Sequence, residues 1–173
     1  MIKYSLKLFL FCSFCLILVT SCKKQSPQLP SNKGVEINKN EESLLKINHR
    51  LAIKEDALLK KYTESNGTFK KNDLGFWYKI IPSGTGSGIK DSSVCKISSK
   101  LRLLNGKILK TELNRFVIGK KQLVVGLEEG IKLMHKGDSA IFVIPWYLGF
   151  GMKGNEPLIP PYTSIIYEIK LLN

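Results

Sequence analysis

The side chains that could do chemistry in this chain are few, and most of the usual chemistries lack their parts. The two histidines, His49 and His135, have no carboxylate or cysteine at metal-ligand spacing. No Ser-His-Asp order and no Gly-x-Ser-x-Gly turn is present. The glycines of Ser83-Gly84-Thr85-Gly86-Ser87-Gly88 are not followed by Gly-Lys-Ser/Thr or by a helix pattern, which argues against a phosphate loop. What remains is an ordered series of apolar and aromatic motifs in the second half. These are Val-Gly-Leu-Glu-Glu-Gly-Ile at 125–131, Lys-Gly-Asp at 136–138 and Ile-Pro-Trp-Tyr-Leu-Gly-Phe-Gly at 144–151. Leu-Ile-Pro-Pro at 158–161 and Ile-Ile-Tyr-Glu-Ile-Lys-Leu-Leu at 165–172 follow.

The elements that must position these motifs can be read from the period of the pattern. Asn40 to Ser65 reads as a helix, with Asn40 as N-cap, Glu41 and Glu42 in the first turn, and Asn66-Gly67 as its stop. Leu44, Ile47, Leu51, Leu58 and Tyr62 lie on one face, to be docked on the domain or paired with a second copy. Gly75 to Ile81 is a strand ended by Pro82. Val94 to Leu104 alternates, so Cys95, Ile97, Ser99, Leu101 and Leu103 point to the core. Asn105-Gly106 is a hairpin turn, followed by two short strands, 107–109 and 115–118. Val124 to His135 holds a short helix with Leu127, Ile131 and Met134 on one face. Ser139 to Ile144 and Ser164 to Leu172 are strands. The loop between them, Pro145 to Pro161, has the length of a functional loop. The sum is one α+β domain over 74–173.

The N-terminus reads as an export signal. Lys3 and Lys7 precede a twelve-residue apolar core, Leu8 to Val19, too short for the roughly 20 residues of a membrane span. Val19-Thr20-Ser21-Cys22 looks like a bacterial lipobox, which makes 1–21 a signal peptide and Cys22 a lipidated anchor. Residues 22–39 are then a tether too polar to fold, and 40–66 the helix. Cys12 and Cys15 leave with the signal, so Cys95 is the one free thiol and no disulfide framework is expected. Loss of Lys3 and Lys7 takes two charges from the formal +13, leaving +11. The lysine pairs are dispersed, which fits a solvated surface near anionic lipid or polysaccharide and not a nucleic-acid partner.

From Leu74 to Leu172, and most clearly from Gly126 onward, the motifs resemble an FKBP-type peptidyl-prolyl isomerase. The resemblance implies an FKBP-like antiparallel sheet wrapped around one short helix, no cofactor, and proline-containing exported polypeptides as substrates. With the helix and the lipobox, the chain resembles the lipoprotein branch of the family, including gliding-motility-associated isomerase lipoproteins. By family analogy it would be lipid-anchored in the cell envelope, at the outer membrane facing the periplasm.

The resemblance also carries over a pocket. Leu123 and Val124 stand for the aliphatic pair before the helix, with the Val124 N–H as donor to a substrate carbonyl. Leu127 takes the place of the floor aromatic, Phe150 of the loop tyrosine, Ile159 of the loop aliphatic and Tyr167 of the closing-strand phenylalanine. Val124, Phe150 and Tyr167 are the catalytic candidates. Ser99, Leu109 and Lys110, with Leu123, Leu127 and Ile159, are the substrate-binding candidates. Ser99 replaces an aromatic, and Leu109-Lys110 replaces a Phe-Asp pair. One wall stays apolar and the other is rebuilt, so two readings stand: an isomerase, or the same fold kept for peptide holding or docking to an envelope machine. The same residues are also what plain core packing would require.

Overall fold

The computed structural model describes residues 39–82 and 84–172. The signal, Cys22 and the tether lie outside them. The chain divides into two units, Met1–Lys39 and Asn40–Asn173, and the fold is that of the second. Among the described residues no helix is long and apolar enough to cross a membrane.

Helix α1 spans Lys39–Ser65, so Asn40 lies within it instead of capping it. Six strands follow: β1 (Lys70–Lys71), β2 (Trp77–Ile81), β3 (Val94–Leu103), β4 (Ile108–Val117), β5 (Ser139–Ile144) and β6 (Ile165–Leu172). They form one antiparallel sheet in the order β1-β2-β5-β6-β3-β4. Helix α2, Val125–Ile131, lies between β4 and β5.

The sheet is apolar on both faces at its centre, because successive residues of a strand point to opposite sides. Cys95, Ile97 and Leu101 of β3, Phe142 and Ile144 of β5, and Ile165, Tyr167, Ile169 and Leu171 of β6 join Leu127, Ile131 and Met134 in the main core. Val143 and Ile166, the alternate residues, pack with Leu59 of α1 in a second cluster. The helix therefore docks through its C-terminal half. Polar ties hold the same end: Arg102 Nη1 donates to the Tyr62 hydroxyl at 3.1 Å, and Lys71 Nζ meets Asp56 Oδ1 at 2.6 Å.

Two expectations are corrected here. The docking stripe does not run through Leu58, which is exposed; Leu59 is the fully buried residue. Leu44 and Ile47 are exposed as well. The two short strands around 107–118 are one strand, β4, paired residue by residue from Val94↔Val117 to Leu101↔Lys110. Residues 110–114 pair one for one with Leu101 to Ile97 of β3, so the ladder runs through them. One irregularity remains, at Leu109, where Lys110 faces Leu101 and Ile108 faces Arg102.

The glycines of the 125–131 motif explain how α2 reaches the sheet. A Cβ on Gly126 would stand 2.6 Å from Ile144 Cγ2, and one on Gly130 would stand 2.5 Å from Phe142 Cε1. Glycine at these two positions, one turn apart, lets the helix backbone rest directly on β5.

Candidate functional site

Seven of the nine candidate pocket residues meet in one apolar cluster. Leu127, Ile159 and Tyr167 are buried in it, and Leu109, Leu123, Val124 and Phe150 are partly buried against it. Ser99 is buried beside them, paired in register with Ile169 on one side and Glu112 on the other. Lys110 does not join the wall. Its side chain is exposed and its Nζ pairs with Glu112 Oε2 at 2.6 Å.

Each side chain has a structural reason to be there. The turn before α2 is fixed by Glu128, which is buried and accepts the Gly119 N–H, and by Gln122, which accepts the Val117 N–H at 2.8 Å. The Val124 carbonyl accepts N–H groups of Leu127 and Glu128 at 3.0 Å each, which opens the helix. The Val124 N–H makes no hydrogen bond among the described residues. Ile159 is presented by a loop closed on itself: Asn155 and Ile159 exchange backbone bonds at 2.8 and 3.0 Å. Gly154, at φ +71°, lies so close to the Ile159 carbonyl that a Cβ would collide with it. The three-ten turn Trp146–Leu148 leads into Phe150, anchored where the Trp146 N–H meets the buried Ser164 Oγ at 3.1 Å.

The rebuilt wall holds a residue that sequence reasoning missed. Glu112 Oε2 accepts from Asn114 Nδ2 at 2.6 Å as well as from Lys110. Lys110, Glu112 and Asn114 share the inward face of β4 with Phe116, opposite Leu101, Ser99, Ile97 and Cys95. The period-2 alternation would have shown this had 107–118 been taken as one strand. Burial, and then the Glu112 charge, push the Tyr167 phenol up to about 12, so it is protonated at neutral pH.

Asp138 Oδ2 lies 3.7 Å from His135 Nδ1. That carboxylate is buried and accepts the backbone N–H groups of His135 and Gly84, so its work is to close the turn. Among the described residues no three His, Cys, Asp or Glu side chains form a metal-sized group. The wall can do one kind of chemistry: hold an apolar ring out of water while a donor meets a carbonyl.

Residues 86–172 match the sequence model of the family described as FKBP-type peptidyl-prolyl cis-trans isomerase. The chain belongs to that family. It is 32% identical over 107 residues to a probable FKBP-type peptidyl-prolyl cis-trans isomerase of Haemophilus influenzae, a match covering 60% of this chain and 44% of that protein. It is 28% identical over 116 residues to FkpA of Escherichia coli K12, covering 65% and 42%. The chain thus spans less than half the length of these relatives. Among solved structures, the isomerase of Pseudomonas syringae pv. tomato superposes with a TM-score of 0.58 at 23% identity, over 76% of this chain and 93% of that one. AtFKBP13 gives 0.59 at 22% identity, over 62% and 98%. These likenesses establish the FKBP-like fold: a six-stranded antiparallel sheet with a helix against it.

Proposed function

We propose that this chain is a peptidyl-prolyl cis-trans isomerase acting on proline-containing segments of exported polypeptides, held at the envelope by a lipid on Cys22. The observation that carries the activity is the apolar wall of Val124, Leu127, Phe150, Ile159 and Tyr167 with the unpartnered Val124 N–H at its edge. An X–Pro bond resists rotation by about 18–20 kcal/mol because its amide is resonance-stabilised. Uncatalysed exchange takes roughly tens to hundreds of seconds. The twisted amide has lost that resonance and is less polar than the planar form. A surface that grips the proline ring, excludes water and fixes the neighbouring carbonyl favours the twisted form. Each 1.36 kcal/mol of that preference gives about a tenfold rate.

The anchor rests on the basic start, the twelve-residue apolar core and Val19-Thr20-Ser21-Cys22. Together with α1 it supports a place in the lipoprotein branch of the family, of which the gliding-motility-associated members are the named group it resembles, at the outer membrane facing the periplasm. A second reading, a binding module or docking lipoprotein with little catalysis, is favoured by the charged ladder Lys110-Glu112-Asn114 on the opposite wall.

The deciding assay uses soluble protein from Lys23 onward and short peptides with Leu-Pro or Phe-Pro bonds. Catalysis that falls about tenfold or more in Phe150→Ala and Val124→Asp supports the isomerase. Peptide binding with no rate above buffer selects the binding module.

A further inference from the structure

Tyr167 is a polar side chain of the apolar wall that the fold leaves without a partner. Its side chain belongs to the main core, with only 8% of the residue exposed. Its hydroxyl forms no hydrogen bond among the described residues. A core position with no polar duty would be served by phenylalanine, because a phenol taken from water without a partner is destabilising. The oxygen is not among the fully enclosed unpartnered atoms, so it keeps contact with open space. Tyr167 stands in the same row as Leu101 and Lys110, one row from Glu112 and Ser99. Glu112 is held by Lys110 and Asn114 and makes no bond to the phenol.

We propose that the Tyr167 hydroxyl is a second substrate donor: it takes a main-chain carbonyl of a bound proline-containing segment, alongside the Val124 N–H. The inference rests on the peptide-binding reading above. Tyr167 and Ile159 are buried in the main apolar core, and Val124 and Phe150 are partly buried against it. The Glu112 carboxylate nearby repels anionic groups, which leaves a neutral carbonyl as the acceptor the site selects. The same negative charge favours the protonated phenol, so it is a donor at neutral pH. A hydrogen bond to a carbonyl held equally in planar and twisted substrate contributes to binding without favouring either form. Tyr167 is then a substrate-positioning residue, and its loss belongs in KM.

The test is Tyr167→Phe, which removes one oxygen and keeps the ring. The probe is the blocked tetrapeptide Ala-Leu-Pro-Phe, with Kd measured by titration and KM and kcat by isomerisation. The expected result is a rise in Kd and KM of roughly 5- to 10-fold, with kcat within about twofold. Thermal stability should stay close to that of the parent chain, because the variant keeps the buried ring and removes an oxygen with no protein partner. Unchanged Kd would overturn the proposal while leaving the isomerase reading intact. A parent chain that binds without catalysis would defeat the isomerase reading, and the Kd comparison would still decide the role of Tyr167. A chain that does not bind the peptide overturns both.

Discussion

Single residues carry the function of this wall, and Tyr167 also ties it to stability. Its folded value of about 12 lies above the ordinary 10. A raised phenol contributes stability that is complete below about pH 10 and is lost as pH climbs through 12. A rise of that size corresponds to roughly 2–3 kcal/mol. Denaturant unfolding at pH 9 and pH 12 should therefore show the parent chain losing about that much more than Tyr167→Phe. An equal loss in both would refute the raised value. At this scale the sequence was readable wherever alternation applied. Cys95, Ile97, Ser99 and Leu101 face the core as their period demands. It was not readable at Leu58 and Leu59: both are leucine, and only the placement of the sheet under α1 decides which is buried. Glu112 was hidden because a residue assigned to a loop has no face.

At the scale of elements, α2 shows why a pattern can be recognised before it is understood. The Gly-Leu-Glu-Glu-Gly spacing is visible in the sequence, but the reason for its glycines is contact with Phe142 and Ile144. Gly130→Ala gains roughly 1 kcal/mol of helix propensity. It also places a Cβ 2.5 Å from a fully buried ring that has nowhere to go. Overpacking of that kind costs about 1–3 kcal/mol, so the clash prevails. Urea unfolding should show Gly130→Ala less stable than the parent chain; a gain in stability would mean that the helix can lift off β5 freely. The strand β5 was legible to its boundaries, Ser139–Ile144, because a charged turn precedes it and a proline follows. The continuity of β4 was not, since its inward face carries Lys110, Glu112 and Asn114 where a core-facing strand would carry apolar residues.

For the whole molecule, the sheet separates two tasks. One face carries the main core with its apolar wall, and the other receives the C-terminal half of α1. If Cys22 holds the chain to a membrane, Cys22→Ser should move the protein from the membrane to the soluble fraction after cell fractionation, with isomerase activity per molecule unchanged. Retention in the membrane fraction would refute lipidation at that position. The antiparallel FKBP-like fold was legible because its motifs fall on turns and helix ends, where geometry demands particular residues. The separation of the two faces was not, because it depends on strand order and not on any local pattern.

That strand order has a consequence in time. β6 is the last of the six strands to be made, yet it lies between β5 and β3. Until it arrives, the chain has two separate fragments of sheet, β1-β2-β5 and β3-β4, and α1 waits without Ile166 beneath it. The eight residues of β6 join the two fragments. A sheet joined through non-local strand pairing of this kind closes more slowly than one built from neighbouring hairpins alone. Insertion of β6 brings Tyr167 to the main core and Ile166 to the helix seat together.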